Sequence, residues 1–199
     1  MKGGADVLDI DVTTFQRTWG PRLAAFAHGQ WPTVLFVSCS DSRVVPNLIT
    51  GAEPGKLFEY RTAGNVISPY TTSQPCSASA TIEYAVNILG VRDIVVCGHS
   101  HCGAVGAAVR GDDLTLVPAV RQWVHGNGIG RESLSAEEAD DPALTGAVIR
   151  HLATQLANLH TYPEVNRRVS DGRLRVHGWF YEVDTGEVRQ LRDGFLVSL

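Results

Sequence analysis

The chain has 199 residues, 44% of them hydrophobic, and a formal net charge of -4. That is enough to bury a full core, and it fits one domain over residues 1–199 better than two. The 17 Lys and Arg are scattered, so no basic stripe favours nucleic acid or an anionic membrane, and no apolar run approaches the roughly 20 residues of a membrane span.

Residues 1–30 read as an N-terminal helical arm. Phe15, Trp19, Leu23 and Phe26 recur at helical spacing, with Pro21 expected to break or kink the run. Such a stripe can pack on its own domain or on a partner subunit. The first core strand is Val34 to Ser38, which ends in Cys39-Ser-Asp-Ser-Arg43. After the turn signal Pro54-Gly55, Lys56 to Arg61 reads as extended and leads into Ala63-Gly64-Asn65. Ala78, Ile82, Ala85, Val86 and Leu89 mark a helical face that Gly90 ends. A third strand, Ile94 to Cys97, runs into Gly98-His99-Ser-His101-Cys102-Gly103.

Small residues from Gly103 to Ala108 predict a helix packed closely on the sheet. Its N-terminus would face the His99 to Cys102 turn, where the helix dipole favours a Cys102 thiolate. Residues 126–141 read as a solvated loop or fraying helix end. A long helix is expected from Leu144, Val148, Leu152, Leu156 and Leu159. Two strands, Arg175 to Val183 and Val188 to Leu191, close the chain around a turn at Asp184-Thr-Gly186. The fold class is therefore α/β, with a mostly parallel central sheet of four to five strands, an antiparallel edge strand and flanking helices.

If the first and third strands lie in one parallel sheet, their carboxyl ends open on the same edge, where such sheets place ligands. Cys39, His99 and Cys102 would then gather around one metal, with Asp41 and Arg43 beside it. Three protein ligands leave zinc a fourth, open position, whereas a structural site shows two close pairs. The H-x-x-C spacing alone fits equally a buried cysteine beside a satisfied histidine. Asp41 and Arg43, two apart, would project the same way in extended backbone. Next to a metal, the guanidinium can hold the carboxylate bidentately and aim it. Cys97, inside an apolar strand, reads as a small buried hydrophobe, and Cys76 receives no role.

Cys39-Ser-Asp-Ser-Arg43 and Gly98-His-Ser-His-Cys-Gly103 resemble, in order and spacing, the two signature motifs of the β-class carbonic anhydrases. The resemblance extends through Pro54-Gly55, Arg61-Thr-Ala-Gly-Asn65, Ile82-Glu-Tyr84 and Val176-His-Gly-Trp-Phe-Tyr181. It implies one Zn2+ per chain on Cys39, His99 and Cys102, and a catalytic dyad of Asp41 and Arg43. It also implies a small substrate pocket shaped by Gln30, Phe58, Ala63 and Tyr84. The implied reaction is reversible hydration of carbon dioxide to bicarbonate and a proton, with zinc hydroxide as nucleophile oriented by the dyad. The family assembles as dimers, or as tetramers and higher multiples, with the N-terminal helices packing on a partner subunit; a homodimer or homotetramer is expected.

Two departures stand out. A regulated subtype binds bicarbonate at a Trp, an Arg and a Tyr; Arg61 and Tyr181 match, but Phe36 stands where the Trp would be and cannot donate the indole hydrogen bond. Together with Gln30, this predicts the continuously open subtype, with Asp41 held by Arg43. Thr62 replaces the usual Asn. The alternatives are a hydrolase of a related heterocumulene, CS2 or COS, on the same scaffold, or a non-catalytic zinc-binding module. A thiol redox protein is disfavoured by the lack of C-x-x-C. His101, His125 and His177 are candidate proton shuttles. Met1 to Val7 lacks the apolar core of a signal peptide, so a cytoplasmic location is expected, with no nucleic-acid or membrane partner.

Overall fold

A computed structural model describes residues 12–130 and 141–199. The chain divides into two compact units, residues 1–31 and 32–199. In the first unit, helix α1 (Val12–Leu23) runs through Pro21 and gives way to a 3-10 turn over Ala24–Phe26. None of its residues is buried, and Phe15 is 51% exposed. The Arg22 guanidinium lies 5.2 Å from the Trp19 ring centroid. Of the loop expected over residues 126–141, residues 131–140 lie outside the described residues.

The second unit is an α/β layer structure. Its strands are β1 (Val34–Cys39), β2 (Leu57–Thr62), β3 (Asp93–His99), β4 (Arg175–Tyr181), β5 (Val188–Arg192) and β6 (Phe195–Ser198). They form one sheet in the order β2-β1-β3-β4-β5-β6. The first four are parallel, and β5 and β6 add antiparallel pairs at one edge. Six strands replace the expected four to five, because the chain turns once more at Asp193-Gly194. Both residues have positive φ, 50° and 85°, and Arg192 pairs with Phe195 across them. An Asp-Gly pair is a strong hairpin signal, and the strand it adds is only four residues long.

The helices are α2 (Pro46–Thr50), α3 (Ser77–Glu83, continuing as a π-helical turn to Leu89), α4 (Gly103–Arg110), α5 (Pro118–Gly126), α6 (Thr145–Leu159) and α7 (Pro163–Ser170). Helices α2, α5 and α7, which have no counterpart among the expected elements, each open with proline near the first helical position. There the missing N–H costs nothing, because that donor has no intrahelical partner anyway. Gly90 ends the α3 run with φ 67°, as its position predicts.

The main core lies between the sheet and α3, α6 and α7. Leu35, Val37, Ile82, Val86, Ile94, Val96, Leu152, Leu159 and Val165 are all buried there. Gly98 and Gly178 let α6 approach the central strands closely. A Cβ on Gly98 would sit 2.9 Å from Val148 Cγ1, and one on Gly178 would sit 2.7 Å from Leu156 Cδ1. The other sheet face carries a smaller cluster of Phe36, Val95 and Cys97, with Trp179 and Leu57 against it. It opens into a cavity of about 390 Å³ bordered by Thr50, Lys56 and His177. Burial pushes the Cys97 thiol up to about 12, so Cys97 behaves as the expected buried hydrophobe.

Candidate metal centre

Cys39 is the last residue of β1 and His99 the last of β3, on adjacent parallel strands in which Ser38 pairs with Cys97. Both side chains therefore arrive at one sheet edge. Cys102 joins them because His101 turns the chain in the left-handed region at φ 56°. That conformation costs a non-glycine residue on the order of 1 kcal/mol. It is tied at both ends: the His101 N–H donates to Ala143 O at 2.9 Å, and Arg43 Nη2 donates to His101 O at 3.2 Å.

The ligand atoms of buried Cys39, His99 and Cys102 all lie within 4.8 Å of one another. His99 Nδ1 faces Ser100 O at 2.8 Å and so carries the proton, which leaves Nε2 with a free lone pair. That Nε2 is buried and has no hydrogen-bond partner among the described residues. A buried polar atom without a partner is costly, and a metal ion is the partner that this donor set suits. Two sulfurs at about 2.3 Å and one nitrogen at about 2.0 Å from a tetrahedral ion would stand roughly 3.5 to 3.8 Å apart.

The electrostatics favour a cation. The Cys39 thiol is driven toward thiolate, against the effect of burial, first by a hydrogen bond from Cys102 and further by the Gly64 N–H. Cys102 is pushed the other way, by its bond to Cys39 and by burial. The N–H groups of Ala104 and Val105, at the start of α4, do pull Cys102 down as the helix dipole predicts. They are outweighed because the two sulfurs share one proton. A dication between them removes that conflict by stabilising both thiolates.

Asp41 sits beside this cluster, its Oδ2 4.0 Å from His99 Nε2. Arg43 grips its carboxylate from three donors: Nε to Oδ1 at 2.9 Å, Nη2 to Oδ2 at 2.8 Å, and the backbone N–H to Oδ1 at 2.9 Å. The guanidinium holds the Asp41 carboxyl well below the usual carboxylate range, so it remains an acceptor at any physiological pH. Arg61, which matches the arginine of the regulated subtype, bonds backbone carbonyls. Its Nε and Nη2 donate to Cys39 O, Nη2 also to Asp41 O and Val44 O, at 2.8 to 3.1 Å. Arg61 thus staples the loop that bears one ligand and the carboxylate to the end of β2.

Family membership follows from comparison with known proteins. The carbonic anhydrase family model matches residues 34–188. The carbonic anhydrase of Pseudomonas aeruginosa is 48% identical over 169 residues, which cover 84% of this chain and 76% of that protein. That of Synechococcus elongatus is 43% identical over 83% of this chain and 62% of its own length. The chain belongs to the β-carbonic anhydrase family. The solved structure of the β-carbonic anhydrase CcaA matches with a TM-score of 0.83 at 37% identity, covering 94% of this chain and 86% of that one. The α/β fold with its mostly parallel sheet is the one these β-carbonic anhydrases share, and reversible hydration of carbon dioxide is consistent with the Cys-His-Cys cluster at the sheet edge.

The other sequence-predicted residues are placed as follows. Ala63 adjoins the cluster through the next residue, whose N–H donates to Cys39 Sγ at 3.3 Å. Phe58 and Tyr84 pack on each other with ring centroids 5.8 Å apart. Gln30 belongs to the first unit. His101 Nε2 pairs with Asp184 at 2.7 Å. His177 bonds Asp93 at 2.8 Å, at the start of β3, about 20 Å along the strand from His99, so it is not at this edge. His125 lies in the last turn of α5.

Sequence reasoning missed Trp123, His151 and Gln155. His151 and Gln155 stand on the buried face of α6 with Val148 and Leu152. Polar residues at apolar-stripe spacing were the signal.

Proposed function

We propose that this chain hydrates carbon dioxide at one Zn2+ held by Cys39, His99 and Cys102, with Asp41 and Arg43 as the catalytic dyad. The observation that supports it best is the unpartnered Nε2 of His99 between two buried sulfurs, with an Arg-clamped carboxylate 4.0 Å away. Zinc, when bound, supplies a Lewis acid that brings water to nucleophilic strength near neutral pH. Asp41, ionised and fixed by Arg43, accepts the hydrogen bond of the attacking oxygen at Oδ2 and so orients its lone pair toward the substrate carbon. It needs no reorganisation, because both guanidinium bonds are already made. Phe58, Ala63 and Tyr84 shape the substrate pocket at the subunit interface of the assembly, and Gln30 is the candidate donor to a substrate oxygen.

The open subtype fits best. Asp41 is engaged by Arg43, Arg61 directs Nε and Nη2 to backbone carbonyls, and Phe36 is fully buried edge-on against Trp179 with ring centroids 6.0 Å apart. The functional unit is one β-carbonic-anhydrase domain with residues 1–30 as an arm, assembled as a homodimer or homotetramer. Helix α1, none of whose residues is fully buried, and the open cavity over Phe36 and Trp179 support an assembly that covers apolar surface. A solved chain from Sordaria macrospora, 28% identical to this one, is one of two β-carbonic anhydrases described as tetrameric. A reducing, cytoplasmic setting suits the four free cysteines, two of which are the ligand thiols. No helix among the described residues is long and apolar enough to cross a membrane.

Stopped-flow hydration of CO2 with metal analysis tests the reading, with CS2 turnover as the contrast. Zinc-loaded protein should turn over CO2, and Cys102→Ala should lose both zinc and activity. CS2 turnover without CO2 turnover, or an active Cys102→Ala protein free of zinc, would overturn it.

A further inference from the structure

We propose that Trp123 and His151 are positioning residues for the Cys39 thiolate: through the Ala63-Gly64 segment they fix the Gly64 N–H on Cys39 Sγ and so set how that sulfur binds its metal. The inference rests on the zinc reading above. It starts from one peptide unit, since Ala63 O and Gly64 N belong to the same planar trans amide and point in opposite directions. Trp123 Nε1, on α5, donates to that oxygen at 2.9 Å. The N–H at the other end donates to Cys39 Sγ at 3.3 Å. Donation to the carbonyl polarises the amide and strengthens its N–H as a donor, so the two bonds reinforce each other.

The following carbonyl is held independently. His151 Nε2, on α6, donates to Gly64 O at 2.6 Å. Its Nδ1 meets the Gln155 amide nitrogen at 3.4 Å, and Gln155 Oε1 accepts the Ile67 N–H at 2.8 Å. His151 is 5% exposed and Gln155 is fully buried, and burial lowers the His151 pKa, which keeps the ring neutral with one N–H to give. Trp123 and His151, one from each of two helices, thus hold consecutive carbonyls and leave the amide between them one orientation. Gly64 is what the site requires, because its φ is 75° and a Cβ there would lie 3.2 Å from Ala104 Cβ and 3.3 Å from Ile129 Cδ1.

An N–H aimed at a thiolate favours the anionic sulfur that zinc needs and draws off some of the charge it donates. Removing such outer support typically costs about 10- to 100-fold in metal affinity or activity. The test uses competition with a chromophoric chelator and cobalt(II) substitution in the wild type, Trp123→Phe, His151→Phe and His151→Gln. Trp123→Phe and His151→Phe should bind zinc about tenfold more weakly and move the sulfur-to-cobalt charge-transfer band to longer wavelength. His151→Gln retains a side-chain N–H donor and should stay within about threefold of wild type.

Wild-type bands and zinc affinity in both Phe variants would overturn the inference. So would equal losses in His151→Gln and His151→Phe, which would reduce His151 to packing. Hydrogen exchange at the Gly64 amide of zinc-loaded wild type probes the same contact without any substitution: slow exchange is expected, and exchange at the rate of an exposed loop amide overturns it. A wild type that binds no zinc, or cobalt spectra without sulfur bands, refutes the zinc reading itself; normal wild-type spectra that the variants leave unmoved refute only this step.

Discussion

Asp41→Asn separates holding the metal from using it. In the wild type, Oδ1 accepts two bonds from Arg43 and Oδ2 accepts one. An asparagine keeps more of them by placing its carbonyl at the Oδ1 position, which puts the amide NH2 where Oδ2 was. That NH2 faces Arg43 Nη2, another donor, and loses a charge-assisted bond. With Arg43 46% exposed, solvent screening limits the folding cost to about 1 kcal/mol. The functional cost is larger, because the side toward His99 no longer offers a lone pair to the attacking oxygen. Loss of a positioned proton acceptor typically costs about 10²- to 10⁴-fold. We expect roughly 10²- to 10³-fold in kcat, or about 2.7 to 4 kcal/mol at 1.36 per decade, with zinc content unchanged. The assay is stopped-flow CO2 hydration with a pH indicator on protein of measured zinc stoichiometry, separating kcat from KM. A zinc-replete Asp41→Asn protein within threefold of wild type would refute the dyad role.

Three further outcomes follow from the geometry. Arg61→Met should lower kcat/KM about 10- to 100-fold, because the Cys39 to Val44 loop loses its staple. Arg61→Lys should fall between, since one ammonium cannot span the same carbonyls; unchanged kinetics in Arg61→Met would sink the staple. Gly98→Ala forces a methyl to 2.9 Å from Val148 Cγ1 and should destabilise by about 1 to 3 kcal/mol. Thermal melts should show Val148→Ala restoring part of that loss in the Gly98→Ala background, whereas additive losses would argue that α6 does not press on β3 there. Asp93 has its pKa lowered chiefly by its bonds to Arg175. A carboxylate with a depressed folded pKa contributes stability above its unfolded value, near 3.9, and loses it as pH falls through the folded value. The stability gap between wild type and Asp93→Asn should therefore narrow as pH falls below about 4 in denaturant titrations; a gap that widens on acidification would contradict the pairing.

Chemistry carried by neighbouring residues was readable along the chain. Cys39 and Asp41 sit at the end of one apolar run, and His99 and Cys102 at the end of another, because strand termini are where backbone pairing stops and side chains can converge. The unbroken apolar run of β1, buried on both faces from Leu35 to Cys39, and the α6 stripe were legible for the same local reason, since hydrophobic pattern and burial share one cause. Asp193-Gly194 and the prolines that open α2, α5 and α7 are local signals of the same kind, although no element was expected at them.

Which contacts those residues make was decided only in three dimensions. The β1–β3 pairing brings Cys39 to His99, although 60 positions separate them. Arg61 could be matched in sequence to an anion site, but the fold points Nε and Nη2 of its guanidinium at three backbone carbonyls. No side-chain pattern marks a backbone acceptor, so such a role has no signature in sequence. The same holds for Trp123 and His151, whose partners are the carbonyls of Ala63 and Gly64. The residue types at the metal were determined by the sequence alone. The orientation of the peptide beside Cys39, and with it the environment of the thiolate, depends on helices packed from elsewhere in the chain.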